Sequence, residues 1–261
     1  LPLDSLQVHA PQLGWSDFRG RLDGKLQVHL EPGMLPLASG TVVLRDVQVD
    51  VPGESEPALA WRRFEVDVER VDLAKRAIAV KKVALDGAGV LVRPLDQPPL
   101  PLLPRGDSAA PAGPVAAQVT PASPATPPQQ QAGEPEPAFR WSVGKVELSD
   151  CMAKVFLSPP PLELRIPSLT VDGLSSERGS RAQVALEVRE RDGGVKIAGA
   201  LGIDPLAADV TLGVDALALE DLAAAAGVEP PVLKHASLGA DLKIAVGDGA
   251  ARASGKLALA D

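Results

Sequence analysis

The strict alternation of apolar and polar residues constrains the fold of this chain more than any other feature of its sequence. Phe64, Val66 and Val68 are separated by acidic residues, and residues 183–189 and 195–201 alternate in a similar way. A period of two residues is typical of β-strands that have one apolar face and one polar face. Because the pattern recurs in both halves of the chain, the sequence predicts a mainly β protein.

The alternation slips by one residue at Asp46 and again before Val83, as a β-bulge would cause. The segment 40–46, Gly-Thr-Val-Val-Leu-Arg-Asp, recurs as Gly-Lys-Val-Glu-Leu-Ser-Asp at 144–150 and more loosely at 255–261. Repeats of this kind are typical of quasi-linear arrays in which similar units stack. We therefore interpret the sheet as modular, with the two Asp residues that end the first two copies at equivalent bulges.

Glycine-rich turns divide the alternating segments into hairpins. Residues 192–194 (Asp-Gly-Gly) and 247–249 (Gly-Asp-Gly) are such turns, and 219–226 is a short helical segment that Gly227 ends. A second sheet would hide the apolar face of the first, but aromatic side chains usually fill that space, and here the apolar residues are small and aliphatic. We therefore predict an elongated, curled antiparallel sheet that forms a trough with its apolar face inward, and one short helix.

A proline-rich segment separates two ordered blocks. Residues 94–138 hold half of the chain's 26 prolines, many Ala and Gln residues and no aromatic residue. Such a composition does not bury enough apolar surface to offset the entropy of ordering, which predicts a disordered insertion. The domain organisation is therefore a β-rich block 1–93, a linker 94–138 and a second β-rich block 139–261. We expect a short Gly-Ser replacement of the linker to be tolerated, because loop closure costs grow slowly with length.

The overall composition argues against several classes of protein. A net charge of −8 and the absence of Tyr and Asn disfavour general nucleic-acid binding, which needs a basic surface. The single cysteine, Cys151, excludes an intramolecular disulfide and a multi-cysteine metal site. No stretch approaches the roughly 20 apolar residues of a membrane-spanning helix. Because the first residue is Leu1 and no signal peptide is present, we expect the chain to be part of a longer protein.

Several motifs follow one another in a characteristic order. These are the strand 40–46, the segments 61–68 and 72–93, a proline-rich insertion, the second Gly-x-Val-x-Leu-x-Asp strand, and the segments 199–206 and 217–222. This order resembles the AsmA-like superfamily of bacterial envelope proteins across most of both blocks. The resemblance implies a long β-sheet groove in the periplasm of a Gram-negative cell, in a parent protein with an inner-membrane anchor.

Grooves of this family, similar to bridge-like lipid transfer proteins, are thought to shield phospholipid acyl chains between the inner and outer membranes. A continuous aliphatic trough suits that task, because each methylene exposed to water costs about 0.8 kcal/mol. We expect a non-catalytic section of such a groove, with no cofactor, no metal and no nucleic-acid partner. The expected partners are acyl chains and, through other parts of the parent protein, the two membranes.

The alternation indicates candidate residues for the lipid groove, and the basic residues indicate candidates for its rim. The candidates for the lipid groove are Val66, Val68, Val80, Leu85, Leu186, Val188, Ile197 and Leu212. A cluster of basic residues lies within 61–93, and a solvated outer face is its ordinary interpretation. The alternative is a basic rim for phosphate head groups, for which the candidates are Arg62, Arg63, Lys81 and Lys82.

Other chemistry finds little support in the sequence. His9 and His29 lie in two similar segments, and a zinc site there would need Asp4 or Asp23 as a third ligand. No Ser, His and Asp residues are spaced as a catalytic triad, and Cys151 is expected to be a small buried residue. A structural module that assists outer-membrane protein assembly by offering strand edges remains the alternative function. A sugar-active enzyme is the weakest hypothesis, because stacked carboxylates and aromatics are missing.

Overall fold

The computed structural model describes residues 2–3, 16–30, 36–93, 139–156, 161–218, 236–247 and 250–260. Within them the chain is mainly β, as predicted, and contains no helix. The expected helix at 219–226 and the linker 94–138 lie outside the described residues. The strands are β1 (Asp17–His29), β2 (Leu37–Asp50), β3 (Leu59–Asp72), β4 (Ala77–Asp86), β5 (Gly89–Val92), β6 (Arg140–Val155), β7 (Leu162–Ser175), β8 (Arg181–Glu190), β9 (Gly193–Gly202), β10 (Ala207–Ala218), β11 (Ser237–Gly247) and β12 (Ala250–Ala260).

All the strands belong to one curled, 12-stranded sheet in the order β1-β2-β3-β4-β6-β7-β8-β9-β10-β11-β12. The short strand β5 continues the line of β4 and pairs with β3 and β6. The sheet runs without interruption through both sequence blocks, which join where β4 pairs with β6. The expected hairpin at 192–194 is present, although its turn is formed by Arg191 and Asp192, and Gly193 already belongs to β9.

The sheet is mainly antiparallel, as predicted, but it contains a parallel junction that the prediction did not include. The β4–β6 and β5–β6 ladders are parallel, whereas every other ladder is antiparallel. A parallel pair requires a connection that returns along the whole strand. Val92 pairs with Val155 and Ala77 with Arg140, so residues 94–138 join opposite ends of the sheet. A Gly-Ser replacement of the linker must therefore be long enough to span the ladder, a requirement that the expectation of a short replacement did not include.

The repeated motifs occupy equivalent places in β2 and β6. Leu44 in β2 pairs with Phe64, and its counterpart Leu148 in β6 pairs with Leu169. Asp46 and Asp150 both adopt a left-handed backbone, with φ of 50° and 51°. The register against β1 shifts opposite Asp46, as a bulge requires, whereas the register of β6 against β7 is unchanged across Asp150.

The sheet forms a single layer. Among the described residues, extensive contacts join only strands that are neighbours in the sheet. The fully buried side chains of that part are consequently few, and the largest are Val47 and Val49 at 1% exposure. The described strands therefore stabilise one another through ladders and cross-strand pairs, and no second sheet packs on them.

Candidate functional site

Directly paired residues of neighbouring strands lie on the same face of a sheet, so the register defines rows of side chains across it. One row extends from β1 to β11 and is apolar throughout, and the adjacent row is aliphatic apart from two glycines. We call these two rows the aliphatic face. The first row consists of Leu22, Leu44, Phe64, Leu85, Leu148, Leu169, Leu186, Ile197, Leu212 and Leu242, and the second of Gly24, Val42, Val66, Val83, Val146, Val171, Val184, Gly199, Val210 and Ile244.

The aliphatic face is only half covered. Every apolar side chain in its two rows is intermediate in exposure, in contrast to Val47 and Val49. At about 4.8 Å between strands, the first row extends for roughly 40 Å. That length exceeds the roughly 30 Å of a bilayer's hydrocarbon core. A continuous apolar surface of this size, left half exposed in the described chain, is the most prominent candidate site.

Six of the eight groove candidates lie on this face or directly beside it. Leu85, Leu186, Ile197 and Leu212 belong to the first row and Val66 to the second, while Val188 pairs with Val195 in the adjacent position. Val68 and Val80 pair with each other beyond a register shift. The structure thus brings six predicted residues into one surface and places the other two at its margin.

Many members of the aliphatic face were not among the predicted groove residues. The residues of β2, β6 and β7 were not nominated, although Leu44 and Leu148 occupy the same position in the two copies of the repeat. Their position in the repeat was the signal that could have identified them. If equivalent positions of the repeat face the same side of the sheet, a groove residue in the first copy predicts one at the same position of the second copy.

The opposite face is polar and extensively ion-paired. Glu147 accepts a contact from Lys82 at 2.5 Å, which links β4 to β6 across the parallel ladder, and another from Lys145 of its own strand at 2.6 Å. Hydrogen bonds from these two ammonium groups lower the pKa of Glu147, and the bond to Glu147 raises the pKa of Lys145. This pattern matches a solvated outer face whose charges neutralise one another.

The four rim candidates all have carboxylate partners. Arg63 contacts Glu65 at 2.8 Å, and the Nζ of Lys81 is 3.9 Å from Asp67. Lys82 contacts Glu147, and Arg62 contacts two aspartates described below. The structure therefore disperses these cations among ion pairs and does not gather them into one unpaired basic rim.

Arg62 of β3 bonds to residues of β4 and β6, beside the left-handed backbone of Gly87 and Asp150. Its Nη2 donates to Asp86 and to Asp150, each at 3.0 Å, and these bonds raise the pKa of Arg62. Ser149 donates to the same Asp86 oxygen at 2.9 Å. Gly87, with φ of 63°, leaves the space for this side chain, because a Cβ there would lie 2.2 Å from Nε of Arg62. Asp150 therefore serves a structural network within the sheet.

Metal and thiol chemistry gain no support from the described residues. They contain no group of His, Cys, Asp and Glu side chains that could hold a metal ion. His29 lies exposed in β1, Asp23 pairs with Arg45, and His9 and Asp4 lie outside the described part. Cys151 is buried, with its Sγ 3.5 Å from the carbonyl oxygen of Ser149. The described part of the chain contains no helix that could cross a membrane.

Asp72 is the most buried carboxylate among those with a shifted pKa. It closes the β3–β4 turn by accepting from the backbone N–H of Lys75 at 3.0 Å, and it also contacts Arg70. The bond from Lys75 contributes most to lowering the pKa of Asp72 below its ordinary value of 3.8. The ionised form therefore stabilises the folded state above pH 3.8, and this contribution disappears as pH falls through the lowered pKa.

We expect the substitution Asp72→Asn to lower the melting temperature at neutral pH and to reduce its decline in acid. The reason is that Asn keeps an acceptor for the turn but has no charge to lose. Circular dichroism measures the melting temperatures of both proteins between pH 2 and pH 7. The two melting temperatures should converge at the acid end of this range. Parallel curves over the whole range would contradict the role of the Asp72 charge.

Comparisons with known proteins leave this surface as the principal guide to function. No protein-family profile matches the chain, and no curated protein or solved structure matches it significantly.

Proposed function

We propose that the chain is a non-catalytic section of an AsmA-like groove protein that shields phospholipid acyl chains during transport between the inner and outer membranes. The observation that carries this proposal is the aliphatic face, which crosses ten strands and remains half exposed. On this proposal the curled sheet forms a trough, and the chain works in the periplasm as part of an anchored parent protein.

The chemistry of the face favours acyl chains over other ligands. Its two rows contain one aromatic residue, Phe64, and no polar side chain. Carbohydrate and nucleotide ligands need hydrogen-bonding groups or stacked aromatics, which the face lacks. Acyl chains need only non-directional apolar contact, and each methylene removed from water contributes about 0.8 kcal/mol. A dozen methylenes therefore supply enough free energy to retain a lipid without any specific bond.

The polar face is consistent with acyl chains bound on the aliphatic face. Its charges are paired with one another within β3 and β6 and between β4 and β6, so this side of the sheet is stable in water. A sheet that is solvated on one side and apolar on the other separates a lipid from the aqueous compartment with a single layer of protein. Such a layer leaves lipids free to move along the rows, because its contacts with them are non-directional.

Site-specific photocrosslinking tests the proposal. A photoreactive amino acid at Ile197 or Leu212, on the aliphatic face, should form adducts with phospholipid that mass spectrometry detects in protein purified from a Gram-negative host. The matched controls are Ala198 and Thr211, which adjoin these residues in β9 and β10 but lie on the polar face. Equal labelling at all four positions, or adducts at none of them, would refute acyl-chain shielding.

A second candidate function rests on β12. All of its residues are exposed, including Leu257 and Leu259 at 71%, and β11 is its one neighbour in the described sheet. An exposed strand edge is a template for pairing with another strand. This edge is the observation that favours a module assisting outer-membrane protein assembly, and photoreactive groups at Ala258 would then form protein adducts instead of lipid adducts.

A further inference from the structure

The turns at one end of the strands form a continuous ridge. Residues 73–76, 139–141, 176–180 and 203–206 all lie at this end, and backbone hydrogen bonds join them. Arg140 donates to Arg76 at 2.9 Å, Ser176 to Trp141 at 2.9 Å, and Gly179 to Asp204 at 2.6 Å. We call these four segments the basic lip. Because it follows seven strands at about 4.8 Å spacing, the lip is roughly 30 Å long.

The basic lip carries large apolar side chains in exposed positions. Leu206 is 75% exposed, Phe139 50%, Leu73 47% and Ile203 46%, and Trp141 is 36% exposed. Turns that have no binding role are usually built from polar residues, Gly and Pro. Apolar side chains on three of the four segments of one ridge therefore indicate a surface that contacts something apolar.

The same ridge is rich in cations. Lys75, Arg140, Arg178 and Arg181 are exposed at this end beside two exposed carboxylates, Glu177 and Asp204, and the three arginines form no ion pair with any described residue. The opposite end of the sheet has the reverse charge, with carboxylates outnumbering cations. Its charged residues include Asp17, Asp50, Glu54, Glu56, Glu163, Glu190, Asp192 and Asp215 on one side and Arg93, Lys154, Arg165, Arg189 and Arg191 on the other. A chain with net charge −8 thus concentrates unpaired positive charge beside its exposed apolar turns.

We propose that the basic lip docks on the surface of a bilayer that contains anionic lipids. Leu206, Phe139 and Ile203 would enter the boundary between head groups and acyl chains, and Trp141 would lie at the head-group level, which aromatic side chains prefer. The arginines would contact lipid phosphates, with the acidic end directed away from the membrane. This surface is separate from the aliphatic face, and the proposal does not depend on acyl-chain shielding.

Vesicle flotation with the full chain tests the docking. We expect binding to vesicles of phosphatidylcholine with 30% phosphatidylglycerol, and much weaker binding to phosphatidylcholine alone. Leu206→Ser should weaken binding about tenfold, because one leucine no longer enters the bilayer. Arg178→Gln should weaken it about fivefold and should reduce its dependence on salt.

Two matched controls lie elsewhere on the sheet. Leu257→Ser removes a leucine of similar exposure from β12, and Arg165→Gln removes an exposed arginine from β7, and both should bind as the parent does. Absence of binding to anionic vesicles, or equal loss in the controls, would overturn the proposal. Loss of binding in Arg178→Gln without loss in Leu206→Ser would also overturn it, since that result describes a surface for an acidic partner that excludes bilayer entry. Photocrosslinking at Ile197 reports acyl-chain binding independently, so failure of either proposal can be distinguished from failure of the other.

Discussion

Replacement of residues 94–138 by six Gly-Ser residues is expected to break the sheet between β4 and β6. The parallel ladder runs from Ala77–Arg140 to Val92–Val155, about 15 residues, which at about 3.3 Å each is roughly 50 Å. A chain spans at most about 3.6 Å for each residue. A connection of six residues therefore reaches less than half of the required distance, whereas 45 residues exceed it amply.

The expected loss is large because the shortened chain cannot form the ladder that joins its two halves. We expect a destabilisation above about 4 kcal/mol at this junction, together with rapid hydrogen exchange of the β4 and β6 amides. The control is a Gly-Ser connection of 25 residues, which is long enough to return along the sheet and should leave the melting temperature nearly unchanged. A six-residue variant with protected β6 amides would mean that β4 and β6 are not parallel neighbours.

Aspartate substitutions on the aliphatic face should abolish lipid binding while the sheet stays folded. Leu186 and Leu212 are half exposed, so a charge in either place keeps part of its hydration. At Val47, which is 1% exposed, the same charge would be buried without a partner and should cost more than about 4 kcal/mol. At Ala198, on the polar face, it should have little effect on stability or on lipid.

The four variants separate the possible roles of the face when thermal unfolding and lipid content are measured together. Leu186→Asp and Leu212→Asp should melt within a few degrees of the parent but purify without lipid. Val47→Asp should unfold, and Ala198→Asp should behave as the parent. If Leu186→Asp and Leu212→Asp unfold as Val47→Asp does, the aliphatic face is a closed core. If they fold and keep their lipid, acyl-chain shielding is excluded.

Much of the fold follows from alternation, because the period of two residues directly gives strands and their faces. The bulge at Asp46 was also predictable, since Val47 and Val49 continue the apolar pattern one residue out of phase. The β4–β6 pairing was not predictable in the same way. A strand has the same alternation whether its neighbour runs parallel or antiparallel, so the local sequence of β4 does not specify the direction of β6.

The basic residues illustrate why the rim was harder to predict than the aliphatic face. Alternation placed Lys82 on the polar side, but its partner Glu147 lies on another strand beyond the 94–138 insertion. An aliphatic surface needs only many residues of one type on the same side, so a register error of two residues leaves it intact. An ion pair needs one particular neighbour, and only the register between β4 and β6 supplies it.

The single-layer architecture has a consequence for how such a protein unfolds and how it changes in evolution. Because extensive contacts of the described strands join only neighbours in the sheet, cooperativity is transmitted locally along it, as in a one-dimensional array. Unfolding can then begin at an outer strand and proceed inward, without the collapse of a shared interior. Gene duplication of a hairpin would likewise extend the sheet by about 10 Å without repacking any other part, so the length of the protein can be adjusted in discrete steps of two strands.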